Sequence, residues 1–147
     1  MIPDLQAAAR TLGLQLVMVN ARTDSDLEMA FATFSQQRVG AVLVGVGAFF
    51  NRRTEQLAAL AARHALPAIS QYREFVLAGG LISYGVRYNV GWPIVGGYAG
   101  RILKGEKPAD LPVQRVTKIE LVNLKTAKTL GLTIPETLLA TADEVIQ

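Results

Sequence analysis

The sequence predicts an α/β fold built on a doubly wound, mostly parallel sheet. Three observations carry that expectation. Short apolar runs at residues 14–19 (LQLVMV), 41–46 (AVLVGV), 67–70 and 81–84 have the length of strands, and the first two have the composition of strands covered on both faces. Between them lie stretches whose apolar residues recur at helical spacing. The junctions are short and marked by Gly or Pro, as at residues 63–67 and 79–80, so right-handed crossovers join successive strands.

The first helix is read from Leu5, Ala8, Ala9 and Leu12, spaced i, i+3, i+4, i+7 and closed by Gly13, which suits a left-handed C-cap. The strand at 14–19 follows. Ser25 and Glu28 stand three apart as a capping box, and Leu27, Ala30, Phe31 and Phe34 form the apolar stripe of the helix they open. After the strand at 41–46 comes a helix over 51–65, with Leu57, Leu60, Ala61 and His64 along one face. Pro67 opens a strand ending near Ser70, and Tyr72-Arg73-Glu74-Phe75 starts a helix whose dipole Glu74 favours from the first turn. Beyond the strand at 81–84, GWPIVGGYAG reads as part of a Gly-weakened helix over 93–103, with Pro93 in its first turn and Gly96 and Gly100 allowing close packing on the sheet. Gly105, Pro108 and Pro112 make 104–112 a stiff, non-helical connector. Residues 116–122 (VTKIELV) alternate with a period of two, as a half-buried strand does.

Composition narrows the function. With 147 residues, 50% hydrophobic and 18% charged, the chain is long enough for one core. No apolar run approaches the roughly 20 residues of a membrane-spanning helix, so no membrane insertion is expected. Met1-Ile2-Pro3-Asp4 lacks the charged-then-apolar pattern of a secretory signal, so a chain starting there is expected to stay in the cytoplasm. The net charge of +3 raises the question of nucleic acid. Apart from the pair Arg52-Arg53, the basic residues of the tail (Lys104, Lys107, Arg115, Lys118, Lys125, Lys128) are dispersed among acids and apolar residues, with no stripe interleaved with aromatics. No nucleic-acid partner is therefore expected.

Nor does the sequence assemble a reacting constellation. Its one histidine, His64, sits at a helix end among apolar neighbours, where a core or capping role fits. The acids Asp24/Asp26/Glu28, Glu106/Asp110 and Asp143/Glu144 fall at a helix start, a loop and the chain end. GxGxxG, the Walker lysine loop and GxSxG are all missing, and zero cysteines exclude disulfides and thiolate ligands. No catalysis, cofactor or metal is expected.

Binding is another matter, because open α/β sheets take ligands beyond the carboxyl ends of their strands. Those ends, at 19–23, 46–51, 70–75 and 83–87, offer Asn20, Phe49, Phe50, Tyr72, Arg73, Ser83 and Tyr84 as ligand-binding candidates, with Asn51 and Gln71 beside them. Flat apolar faces mixed with neutral hydrogen-bond groups suit a small zwitterion or an aromatic solute. A ring stacks on Phe49 or Tyr72, and Arg73 pairs with a carboxylate. The structural alternatives are equally concrete: Phe49 and Phe50 pack a helix on the sheet, and Arg73 answers Glu74 or another nearby acid.

The tail RILKGEKPADLPVQRVTKIELVNLKTAKTLGLTIPETLLATADEVIQ (101–147), with LAALAARHALPAISQYREFVLAGGLISYG (57–85) and AAARTLGLQLVMVNARTDSDLEMAF (7–31), resembles the substrate-binding proteins of ABC importers, in the branch associated with aromatic amino acids and related small solutes. The resemblance implies one lobe of a periplasmic-binding-protein type I fold, an amino-acid-like or aromatic solute held in an interlobe cleft, an ABC permease as partner and a periplasmic location. It implies residues 1–107 as the second lobe, without the strand and Asn-containing loop that open it in the family, and 108–147 as the crossover and return segment belonging to the first lobe. Three local departures accompany it. The strand at 116–122 is left without its native sheet, so it pairs with another copy or occupies a vacated strand position, and either route favours a homodimer completing the sheet. The junction at 121–124 is one residue shorter than the family's, and 87–100 is richer in glycine. Two readings stay open: a solute-binding fragment of an importer receptor, or a truncated, oligomeric structural or regulatory α/β domain without ligand.

Overall fold

Helix α1 (Ile2–Thr11) ends at the residue expected to stop it. Gly13 takes φ +67°, its amide donates to Arg10 at 3.2 Å, and the amide of Leu14 donates to Ala9 at 2.8 Å, which satisfies carbonyls the helix leaves open. The structure, a computed structural model, describes residues 2–85, 88–113 and 120–147, in two compact units, Met1–Gly40 and Ala41–Gln147.

In the first unit the strand expected at 14–19 does not form. Leu14, Leu16 and Met18 are 61%, 47% and 54% exposed, and no described segment pairs with them. An apolar run supplies faces for burial but not the neighbour whose backbone completes a ladder. Helix α2 (Asp24–Gln36) does form, capped two residues earlier than Ser25/Glu28 would place it. Thr23 Oγ1 accepts from the Asp26 amide at 3.2 Å, while Asp26 Oδ2 accepts from the amides of Thr23 at 2.9 Å and Arg22 at 2.8 Å. Leu27, Ala30 and Phe31 are buried as expected, and Phe34 meets Phe31 edge-on at 5.9 Å.

That cap gives the unit an acid-sensitive element. The hydrogen bond from the Arg22 amide, followed by those of Thr23, holds the Asp26 carboxyl below its ordinary 3.8. Because the folded value is the lower one, the contribution is complete above the unfolded pKa and is lost as pH falls from about 3.8 through the folded value. The protection of amides 26–30, meaning exchange relative to its intrinsic rate at each pH, is expected to fall over that window, and Asp26→Asn to flatten the dependence. A dependence as steep in the Asn variant as in the parent would show that Asp26 is not its source.

The second unit carries a five-stranded sheet. Its strands β1 (Val42–Leu43), β2 (Ala68–Ser70), β3 (Ile82–Tyr84), β4 (Glu120–Asn123) and β5 (Glu144–Ile146) lie side by side in chain order. The β1–β2, β2–β3 and β4–β5 pairs are parallel and β3–β4 is antiparallel, so the sheet is mostly parallel as predicted. The helix expected over 51–65 divides at Arg52-Arg53 into α3 (Ala48–Asn51) and α4 (Thr54–Arg63). Helices α5 (Arg73–Leu77), α6 (Tyr88–Leu103), α7 (Leu124–Thr129) and α8 (Glu136–Thr141) follow.

Two expectations meet the structure here. Of the two routes open to the strand at 116–122, residues 120–122 take a strand position within this chain's own sheet, between β3 and β5; residues 116–119 lie outside the described residues. Leu121 and Val122, 2% and 0% exposed, supply the reason, since burying each is worth about 1.5–3 kcal/mol and β3 offers the unpaired edge. Second, α6 begins at Tyr88, so Pro93 sits inside it rather than in its first turn. The packing expected at Gly96 and Gly100 is not made, since a Cβ on either would meet nothing within 4 Å.

The core of this unit lies where α5 packs on β3 and β4 and against α4. Phe75 and Val76 are 1% and 0% exposed there, with Leu57 and Leu60 from α4 also buried. Buried Asn123 ties the layers together: it donates to the Val76 carbonyl at 3.4 Å and accepts from the Thr126 amide at 3.0 Å. Thr126 Oγ1 then donates to Gly79 at 2.9 Å, so the end of β4 and the end of α5 are held as one piece.

Candidate functional site

Parallel strands bring their carboxyl ends to one edge, and β1, β2 and β3 deliver three of the four segments singled out in the sequence. Because β5 runs opposite to β3, its first residue, Glu144, arrives at that same edge. Asn20 belongs to the N-terminal unit, exposed in the irregular segment before α2. Residues 86–87, the end of the fourth segment, lie outside the described residues.

The loop after β1 leads into α3, which carries Phe49 and Phe50, both half-buried, with ring centroids 5.3 Å apart in an edge-to-face pair. The guanidinium of Arg53 lies 4.1 Å from the centroid of Phe49. One face of the ring expected to stack on a solute is therefore already covered by a cation. The loop after β2 turns Tyr72 inward. Its side chain is 7% exposed and its amide points at Ser70 Oγ at 3.4 Å, so Tyr72 belongs to the packing beneath the edge and offers no open stacking face. Ser83, 3% exposed, sits within β3 opposite Ser70, whereas Tyr84 one residue on is 57% exposed.

Arg73 opens α5 and answers Glu144, not its sequence neighbour Glu74. Its Nη2 donates to Glu144 Oε1 at 2.6 Å, with side chains 27% and 41% exposed. The hydrogen bond to Glu144 raises the guanidinium pKa further above its ordinary value. A partner 71 residues away leaves no local sequence signal. Two donors in this loop have no partner: Arg73 Nη1 and Gln71 Nε2 are both sealed from solvent without an acceptor. Behind them the strand ends abut, because a Cβ on Gly85 would stand 2.2 Å from the Gln71 carbonyl oxygen.

A broad groove of about 910 Å³ runs beside this edge, with Arg52, Arg53, Gln56, Glu74 and Leu77 in its walls; none of the seven candidates lines it. A smaller, mostly apolar pocket of about 180 Å³ opens at the opposite edge, by Ala68, Leu81 and Thr126. His64 is the C-cap residue of α4. Among the described residues no group of three His, Cys, Asp or Glu side chains gathers to hold a metal, and no helix is long and apolar enough to cross a membrane.

A mostly parallel sheet with helices packed on it and three strand ends gathered at one edge defines an α/β unit of the ligand-binding kind. Over residues 2–146 it matches the family described as ABC transporter substrate binding protein, and it belongs to that family. No curated protein matches it in sequence. Among solved structures it is similar to a conserved domain protein of Vibrio cholerae (24% identity, TM-score 0.81, covering 98% of this chain) and to the ABC domain of Streptococcus pneumoniae in complex with L-Trp (25%, 0.81, 99%). It also resembles the open, ligand-free CD0873 of Clostridium difficile, a substrate-binding protein with adhesive properties (20%, TM-score 0.69, 99%), in fold alone. The chain spans 49% of the length of each of the three.

Proposed function

We propose that this chain is a solute-binding lobe of an ABC importer receptor, taking a small amino-acid-like or aromatic solute in the interlobe cleft at the carboxyl edge of β1–β3, without catalysis. The observation that carries this reading is the gathering of Phe49, Phe50, Arg73 and Tyr84 along one sheet edge, with Tyr72 and Ser83 buried beneath them. The L-Trp complex of the Streptococcus protein supports the solute class. In this reading residues 1–107 are the ligand lobe and 108–147 the crossover and return segment, and the receptor hands its solute to an ABC permease from the periplasmic side. A two-lobed clamp closes around its ligand, so one lobe binds more weakly than two. Calorimetric titration with tryptophan, phenylalanine, tyrosine and the branched-chain amino acids is expected to give heat in the micromolar to millimolar range. Silence at millimolar concentration for all of them would end the receptor reading for this chain.

A second reading, an oligomeric structural or regulatory domain without ligand, draws on the apolar surface of α6. Trp92, Val95 and Leu103 there are 68%, 58% and 87% exposed. In that reading a homodimer also completes the sheet at the outer edge of β1, which pairs only with β2 among the described residues. Light scattering that returns a monomer at every concentration would remove it.

A further inference from the structure

We infer that Gln71 Nε2 and Arg73 Nη1 are the donor pair for a carboxylate of the bound solute, with Glu144 as the residue that holds the Arg73 guanidinium in place. The inference rests on the receptor reading and adds to it the group of the solute that is recognised and the two residues, Gln71 and Glu144, that recognise or position it.

Buried donors in folded proteins almost always have acceptors, because leaving one unpaired forfeits its hydration without return. Two such donors lie two residues apart in the loop after β2, at the sheet edge where α/β folds place their ligands. Chance explains one orphan more readily than two in one loop. Both are N–H donors, so the missing group is an acceptor. A carboxylate has two oxygens to match two nitrogens, and a guanidinium fork is suited to that geometry.

Glu144 explains why Arg73 is available in one orientation. Its Oε1 engages Nη2 at 2.6 Å and leaves Nη1 as the unpartnered side of the fork. The ion pair offsets the charge of Arg73, and the Glu74 carboxylate acts on the same guanidinium. The edge therefore suits a solute that brings a carboxylate together with a balancing positive group, an amino-acid zwitterion, better than one with net negative charge. Arg73 keeps 27% of its side chain exposed, so the guanidinium lies near the surface of the edge, and a small shift of the neighbouring side chains opens the sealed Nη1 to a solute while the bond from Nη2 to Glu144 is kept. Once there, an acceptor is shielded from water, where charge-assisted hydrogen bonds carry most weight.

The test uses the full chain and two probes differing in one group, L-tryptophan and tryptamine, titrated calorimetrically against the parent, Gln71→Met and Arg73→Lys. Gln71→Met keeps the side chain's length and removes the carboxamide, the Nε2 donor together with its carbonyl oxygen. Because that donor has no protein partner, Tm is expected to hold while L-tryptophan binds roughly ten- to a hundredfold more weakly. Tryptamine is expected to bind the parent more weakly than L-tryptophan and to be indifferent to both substitutions. Glu144→Gln is expected to weaken L-tryptophan selectively, while Glu144→Asp retains part of the difference. If tryptamine binds the parent as well as L-tryptophan, or if the variants lose both probes by the same factor, the carboxylate assignment falls and the receptor reading stands. Unchanged L-tryptophan binding by both variants would mean the two nitrogens serve only bound water, with the same consequence. Should neither probe nor any other amino acid bind the parent, the receptor reading fails and the inference goes with it.

Discussion

Gly80→Ala is expected to destabilise the second unit by roughly 2–3 kcal/mol, the upper part of the range for forcing extra volume into a packed interior. The added Cβ would lie 2.2, 2.3 and 2.7 Å from Cε1, Cδ1 and Cζ of Phe75. An aromatic ring at the surface would swing away, but Phe75 is 1% exposed in the layer that joins α5 to β3 and β4. The contact is built by the way α5 ends. Gly79 takes φ +102° and donates to Val76 at 3.0 Å, and Gly80 donates to Phe75 at 2.8 Å, which lays the Gly80 Cα over the ring. A double-mutant cycle tests this chain of causes. In a Phe75→Leu background the cost of Gly80→Ala is expected to shrink by about 1 kcal/mol or more, read from denaturant midpoints at constant m. Additive costs, or a Gly80→Ala penalty under about 0.5 kcal/mol, would show that the ring is not what Gly80 makes room for.

The same local punctuation made much of the second unit legible in the sequence. Pro67 and the Gly79-Gly80 pair bracket β2, α5 and β3, and Gly105 ends α6 with φ +99°, because these residues act through their own backbone and need no distant partner. What failed to show depends on partners. The run at 14–19 has a strand's composition, yet pairing depends on a neighbour the composition does not specify. Thr23/Asp26 and Ser25/Glu28 offer the same spacing of three, and only the extended backbone at Thr23, φ −129° and ψ 165°, selects the first. β5 and its Glu144 looked like an acidic chain end, because register against β4 is what brings that carboxylate to Arg73. Within the candidate site Tyr72 and Tyr84 were equivalent as residues at strand ends; the turn into α5 buries one while the other emerges 57% exposed.

Gly85→Ala is expected to have the larger functional effect, because its obstacle is main chain. The Cβ would stand 2.2 Å from the carbonyl oxygen of Gln71 and 3.0 and 3.1 Å from its carbonyl carbon and Cα, none of which can rotate aside. Relief comes only by parting the carboxyl ends of β2 and β3, just beyond the Ser70–Ser83 pair that closes their ladder. Gln71, Arg73 and Tyr84 hang from those ends, so a shift that costs roughly 2–4 kcal/mol in stability also displaces the donors and the exposed ring together. Loss of L-tryptophan affinity by tenfold or more is expected beside the lower Tm, both measured on the full chain. Gly96→Ala makes the same chemical change in α6, where a Cβ meets nothing within 4 Å; there it is expected to stabilise by up to about 1 kcal/mol and leave binding alone. Equal and small effects at the two positions would mean that the edge of the sheet tolerates separation, and with it that the close approach of Gly85 to Gln71 does not fix the geometry of the site.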